Sequence, residues 1–364
     1  MIYTDTRDSS VKTDFKTAVL SGMSSKTGGL FIPTSFPKLS DEILKRPAPP
    51  SFRELAFEMA KPYVDGEIPD ADLNAIIADC YPFSAPVVPI DPTTYVLELF
   101  HGPTCAFKDF GARFMARVMS YFNKGNPEPL HILVATSGDT GSAVANGFLG
   151  VEGISVYVLY PKGKVSAIQE CQFTTLGKNI TAIEVDGTFD DCQRLVKTAF
   201  LDNDINNKKL LTSANSINVA RFLPQSFYYF YAYTQLKKLL AEHQKVVMCV
   251  PSGNFGNITA GIFAKKMGLP IRRFVAANNR NDIFLQYLKT GKYQPRPSIA
   301  TIANAMDVGD PSNFARILDL YNDSHTEICK EISGVSYSDD EIGNGISSCF
   351  SANRYLLDPH GACG

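Results

Sequence analysis

The stretch His131–Pro161, HILVATSGDTGSAVANGFLGVEGISVYVLYP, reads as a strand, a turn, a helix and a second strand. HILVAT is a short apolar run with β-forming residues, and ISVYVLYP repeats that character after a gap. Between them DTGSAVANGFLG opens on Asp139 and Thr140, good residues for a helix start, and stops at Gly150, where a left-handed C-terminal cap wants glycine. Strands joined by helical crossovers belong to parallel sheets.

The alternation continues downstream. NITAIEV, KVVMCVP and IRRFVAAN are further short β-rich runs, each followed by helical spacing, and the helix SAIQECQFTTLG stops at Gly177. The fold class expected is therefore α/β. Upstream, Phe52, Leu55, Ala56 and Met59 mark a short amphipathic helix. The stretch YPFSAPVVPIDP then puts four prolines into twelve residues and breaks regular structure, so a boundary is placed there. This predicts a small N-terminal domain over 1–82 and a larger domain over 90–364 with two parallel-sheet α/β subdomains.

At 364 residues the chain exceeds the usual single-core limit, in keeping with more than one domain. A net charge of -2 gives no reason to expect nucleic acid or an anionic membrane as partner, and a small-molecule enzyme fits better. The polar N-terminus MIYTDTRDSSVKTDF lacks the apolar core of a secretory signal, and no run reaches the ~18 to 20 apolar residues that span a bilayer, so a cytoplasmic protein is expected. Eight cysteines without CxxC pairs and five histidines without metal-ligand spacing suggest neither disulfides nor a metal, but reduced and mostly buried thiols.

In an open parallel sheet, ligands sit beyond the carboxyl ends of the strands. Two such loops stand out: SGDTGSA, from Ser137, and PSGNFGNITAG, from Pro251. Each ends a strand and opens a helix, which gathers backbone N–H groups and the positive end of a helix dipole at one point. Gly253 and Gly256 would let the backbone approach an anion, and Asn254 and Asn257 can add side-chain donors. Plain strand-to-helix turns use the same residues. Neither a Walker A nor a GxGxxG pattern is present, which argues against a nucleotide.

A third feature is HGPTCAFKDFGARFMARVMSYF, His101–Phe122. Phe107, Phe110, Phe114, Val118 and Phe122, widened by Met115 and Met119, form one apolar helical face. Gly102 and Pro103 make a turn, and Thr104 can cap the helix that follows. Lys108 then falls in the first turn, where the helix dipole and a partly apolar pocket both disfavour its charge and favour a nucleophilic amine. The ordinary reading of a lone lysine there is a snorkelling side chain. Two anion cradles and one buried lysine in an α/β fold call for a ligand with a phosphate, a carboxylate and a carbonyl that condenses with an amine. Pyridoxal phosphate with an amino acid supplies all three.

Together with GLFIP, GEIP, ATSGDTGSAVA, LYPKGKVS, FDDCQ, SANSINVAR, VPSGNFGNITAG and ANAMDVGDPSN, the Lys108 segment resembles the threonine synthases of the bacterial and fungal type. These lie within the tryptophan-synthase-β-like, fold type II family of pyridoxal 5'-phosphate (PLP) enzymes, and the likeness runs along nearly the whole chain. The resemblance implies that Lys108 carries the cofactor and acts as the catalytic base. It implies that Gly253, Asn254, Phe255, Gly256 and Asn257 hold the cofactor phosphate. Ser137, Gly138, Asp139, Thr140 and Gly141 would receive the substrate carboxylate, with Asn215, Ser216, Asn218, Arg221, Asn304 and Asp307 near the substrate. For Arg221 the ordinary alternative is a surface ion pair.

The implied reaction turns O-phospho-L-homoserine and water into L-threonine and phosphate. A phospho-lyase or dehydratase releasing a 2-oxo acid would use the same lysine and loop, and nothing chooses between a monomer and a homodimer. In the family, the segment resembling LDPHGACG leads into a helix, a strand and a Thr-Ala-His-Pro stretch whose threonine partners the pyridine nitrogen. The last residue here is Gly364, so the expectation is a missing C-terminal segment, in a fragment or in an inactive PLP-binding homologue.

Overall fold

The computed structural model describes residues 1–39, 41–206, 209–241 and 244–364. Spatial contacts divide the chain into one unit of Met1–Pro37, Arg46–Ala85 and Leu99–Tyr231, and a second of Lys38–Lys45, Pro86–Glu98 and Ala232–Gly364. Among the described residues no helix is long and apolar enough to cross a membrane.

The first unit is built on a four-stranded parallel sheet in the order Ile180–Val185, Ile154–Pro161, Leu130–Ala135, Leu210–Ser213. Leu130–Ala135 is buried along nearly its whole length, as a parallel strand with neighbours on both sides should be. The expected strand–helix–strand is present, with the helix at Asp139–Phe148 and Gly150 at φ 70° just beyond it. An antiparallel sheet of Lys12–Thr13, Tyr3–Asp5 and Phe31–Pro33 and the helix Phe52–Val64 make up the N-terminal part. That helix starts with a reciprocal capping box between Ser51 and Glu54 and buries Phe52, Leu55, Ala56 and Met59.

Lys108–Asn123 is the helix expected around Lys108. Phe110, Phe114, Met115, Val118 and Met119 are wholly buried, while Phe107 and Phe122 at its ends are half-buried. Thr104 does not cap it. Instead Asp109, in the first turn, reaches back: its carboxylate accepts from the Thr104 N–H at 2.9 Å and hydroxyl at 2.7 Å. Aspartate in a first turn suits the helix dipole, and the residue before the helix, Phe107, is already in αR and needs no side-chain cap.

The second unit carries a three-stranded parallel sheet, Val246–Pro251, Ile271–Asn278 and Ile332–Ser336, and a hairpin of Val87–Pro89 with Tyr95–Leu97. The hairpin corrects the expectation that the proline-rich stretch has no regular structure. Pro89 closes its strand at the end, where a missing N–H costs no ladder bond. Leu210–Ser213 and Ile332–Ser336 were also not expected. The first is only four residues, and the second contains Gly334, whose bare Cα lets Leu288 and Leu285 pack onto the strand. All eight cysteines are free, but only Cys80, Cys192 and Cys363 are buried, so the thiols are less sequestered than expected.

One contact fixes how closely the Lys108 helix packs. A Cβ on Gly111 would stand 2.1 Å from the Arg221 carbonyl oxygen, a backbone atom that cannot rotate away. Gly111→Ala should destabilise the protein by roughly 1–3 kcal/mol. Gly343→Ala, in helix Asp339–Asn353 with nothing within 4 Å, should instead stabilise by roughly 0.5–1 kcal/mol. Melting temperatures that move in the same direction in both variants would contradict this packing.

Candidate active site

In the first unit, Lys108 is the opening residue of its helix, with a side chain only 16% exposed. Its Nζ lies 5.9 Å from the centre of the Phe107 ring and 3.3 Å from the Asp139 carboxylate. The sequence alone suggests an environment hostile to the ammonium; the structure supplies it with a counter-ion. Asp139 opens its own helix, where a carboxylate is favoured, and it is held on its other side by the Gln169 amide. A Coulomb attraction on the order of 4 kcal/mol near a protein surface meets a desolvation cost of several kcal/mol per ion. The pair therefore orients the amine more than it stabilises the fold.

The turn Ser137–Gly141 is knitted by a residue the sequence reading passed over. Thr136 Oγ1 accepts from the Gly138 and Gly141 N–H groups at 2.9 and 2.8 Å and donates to the Gly138 carbonyl at 3.0 Å. Two of the expected anion donors are thus already engaged within the turn. Gly138 has φ 143°, and a Cβ there would run into the Gln169 side chain at 2.5 Å. Gln169 is the second residue missed. The nearest signal was its place three residues after Ser166, the N-cap of Ala167–Thr174.

The segment from Asn215 to Arg221 divides by role. Asn215 Oδ1 is buried without a hydrogen-bond partner among the described residues, an atom suited to a ligand donor. Ser216 precedes the short helix Val219–Phe222 in the same loop. Asn218 is engaged internally, its Oδ1 accepting from Ala220 N at 3.0 Å and its Nδ2 donating to the Val19 carbonyl at 2.7 Å. Arg221 is no surface residue: it is 2% exposed, donates to the Ala214 carbonyl, and burial, opposed by Asp109, lowers its pKa to about 10.

In the second unit, the loop after Val246–Pro251 leads into helix Gly256–Lys266. Phe255 takes the left-handed conformation at φ 60°, held by burial and by the contact of its ring with that of Phe284, tilted by 42° with centroids 4.6 Å apart. In the first turn, Asn257 Oδ1 accepts from Ile258 N at 2.9 Å. The asparagine side chains shape the loop: Asn254 Oδ1 accepts from Ser312 N at 2.6 Å, and Asn257 Nδ2 donates to the Pro251 carbonyl at 2.7 Å. Buried Arg316 donates to Asn313, which in turn donates through Nδ2 to the Asn254 carbonyl at 3.1 Å. Burial lowers the Arg316 pKa to about 9.

Asn304 opens the 3-10 helix Asn304–Met306. Asp307, at its end, accepts from Thr301 N and Oγ1 at 3.0 and 2.8 Å and from Asn279 Nδ2 at 2.8 Å. Burial raises the Asp307 pKa although these hydrogen bonds oppose it. The first unit thus offers a pre-aimed amine with a carboxylate partner and a buried oxygen without a hydrogen-bond partner among the described residues, and the second, taken by itself, a braced strand-to-helix loop. An amine suits an aldehyde, and a strand-to-helix loop suits a phosphate.

Comparison with known proteins agrees. Residues 87–364 match the model of the pyridoxal-phosphate dependent enzymes, and residues 2–81 match the threonine synthase N terminus. A threonine synthase from Haemophilus influenzae is 45% identical over 350 residues, covering 96% of this chain and 80% of that relative. The crystal structure of PLP-bound threonine synthase from Brucella melitensis superposes with a TM-score of 0.93 at 36% identity, covering 100% of this chain and 84% of that one. That of Escherichia coli threonine synthase gives 0.90 at 39%, covering 100% and 83%. The chain belongs to the pyridoxal-phosphate-dependent enzymes of fold type II and, within them, to the threonine synthase family.

Gly253 tests the loop. The sequence suggests that glycine clears room for the anion; the structure puts the constraint behind it, since a Cβ would fall 2.6 Å from Met306 Cα. Gly253→Val should weaken PLP binding by on the order of 10-fold or more, ~1.4 kcal/mol. Unchanged affinity in fluorescence titration would remove the loop from the cofactor site.

Proposed function

We propose that this chain is a cytoplasmic threonine synthase, which converts O-phospho-L-homoserine and water to L-threonine and phosphate. The observation that carries the reading is Lys108, a half-buried amine aimed at a carboxylate on the first turn of its helix, within a chain of the threonine synthase family. Residues 1–82 form the family's N-terminal domain and 90–364 the PLP-binding domain, in keeping with the two matched segments.

PLP, when bound, supplies an electron sink that stabilises negative charge at Cα and Cβ of an amino acid joined to it. Lys108 holds the cofactor and, once displaced by the substrate amine, takes the proton first from Cα and then from Cβ. Asp139 orients that amine beforehand. The turn of Ser137, Gly138, Asp139, Thr140 and Gly141, its shape held by Thr136, receives the substrate carboxylate, and Asn215 offers its oxygen to a donor of the ligand. Gly253, Asn254, Phe255, Gly256 and Asn257 present backbone donors to the cofactor phosphate. Ser216, Asn218, Arg221, Asn304 and Asp307 act close to the substrate, with Asn218, Arg221 and Asp307 holding loops in shape through the bonds described above. Phosphate would depart from Cγ with its bonding electron pair, Cγ would take up a proton, water would add its hydroxyl at Cβ and Cα would regain its proton, so one water enters for each phosphate lost.

Product analysis tests this. Purified protein with PLP and O-phospho-L-homoserine should release phosphate and threonine in equal amounts, and Lys108→Ala should cut the rate by on the order of 10²–10⁴-fold or more. Phosphate accompanied by a 2-oxo acid would make it a phospho-lyase instead, and no turnover by the wild type would overturn the assignment.

A further inference from the structure

Near the end of the chain, the segment Asp358–Cys363 makes a contact that the proposed reaction does not use. Asp358 caps the short helix Pro359–Cys363, its Oδ1 accepting from Gly361 N at 3.0 Å and its Oδ2 from His360 N at 3.2 Å. The same Oδ2 lies 2.8 Å from His360 Nδ1. On the far side of the ring, His360 Nε2 lies 3.1 Å from the backbone N of Ala305. An amide N–H can only donate, so Nε2 accepts. Nδ1 must then carry the proton and donate it to Asp358, which fixes one neutral tautomer.

Ala305 is the middle residue of the 3-10 helix Asn304–Met306, where the opening amides have no acceptor inside the helix. His360 caps one of them from outside. Apolar packing brings the same two segments together: Cys363, Met306, Ala303, Ala277 and Ile342 share one buried cluster. The other end of the 3-10 turn is tied down by Asp307 through Thr301 and Asn279. Gly253 of the phosphate loop then rests directly on Met306, backbone against backbone. A shift of the turn by a few tenths of an ångström is therefore a shift of the loop.

We infer that His360 is a positioning residue for the phosphate loop: held by Asp358 as the Nδ1–H tautomer, it pins Ala305 and so sets the height of the turn that supports Gly253. The inference rests on the reading of the 253–257 loop as the phosphate cradle. A merely structural histidine would fill space and nothing more, and the chemistry of the replacement separates the two roles.

The experiment compares wild type, His360→Gln, His360→Phe and Asp358→Asn in the full chain, by hydrogen–deuterium exchange over 301–308 without cofactor and by PLP affinity. His360→Phe keeps a ring but no acceptor, and should speed exchange at Ala305 and weaken PLP about tenfold. His360→Gln can place Oε1 where Nε2 was, and should stay within about threefold of wild type. Asp358→Asn keeps the helix cap, since asparagine caps as well as aspartate. Its amide would face Nδ1 as a donor and turn the ring to the tautomer that cannot accept from Ala305, so it should resemble His360→Phe. Should His360→Phe fail to fold, the Asp358→Asn and His360→Gln pair still decides. Affinity unchanged in Phe and Asn variants, or equally poor in Gln and Phe, would overturn the inference. A wild type that binds no PLP would instead overturn the reading of the loop, while the exchange data still report the His360–Ala305 bond.

Discussion

The structure depends most on where one cation is held. Lys108 stands at the positive end of its own helix, against a phenylalanine ring, and would be poorly placed there without the carboxylate of Asp139 at 3.3 Å. Asp139 gains from the start of a second helix what Lys108 loses at the start of the first. Each charge thus corrects the other's position. The arrangement needs both helices to begin close together, and the tight packing of Gly111 on Arg221 and of Gly141 on Thr136 serves that requirement. An amine held in this way is ordered yet only ion-paired, so a carbonyl compound can take it over with little rearrangement of the protein.

The second unit solves a different problem, the presentation of backbone donors. Helix ends are common, and what distinguishes Gly256–Lys266 is the support around its start. A left-handed phenylalanine costs on the order of 1–3 kcal/mol unless its surroundings over-determine it. Here burial of the ring, the Asn254 and Asn257 bonds and the Arg316–Asn313 relay all act on the same few residues. Rigidity of that kind suits an anion site, because donors that already point one way need no reorganisation when charge arrives.

Much of this was legible in the residues. Short apolar, β-rich runs, each followed by helical spacing, located five of the seven parallel strands among the described residues, and the three- and four-residue spacing of Phe110, Phe114 and Val118 located the buried face of the Lys108 helix. The remaining strands were hidden by physics that acts at long range. Leu210–Ser213 is too short to show a period, and Gly334 lowers the β signal of Ile332–Ser336 while serving the packing of Leu288 on it. In the proposed site, Lys108 and the glycine loops drew notice through their places at a helix start and at the carboxyl ends of strands. Thr136, Gln169 and Arg316 did not, since their roles come from partners that only folding brings near. Arg221, for which a surface ion pair was the ordinary alternative, is instead buried, because the partners that enclose it are also brought near only by folding.

The claim on which the account turns is that Lys108, and no other lysine, condenses with PLP. Borohydride reduction of the PLP-loaded protein followed by peptide mass mapping measures it directly. The account predicts a single phosphopyridoxyl mark on Lys108 at one equivalent per chain. A mark on Lys162 or Lys164, the exposed lysines after strand Ile154–Pro161, with Lys108 unmodified, would contradict it.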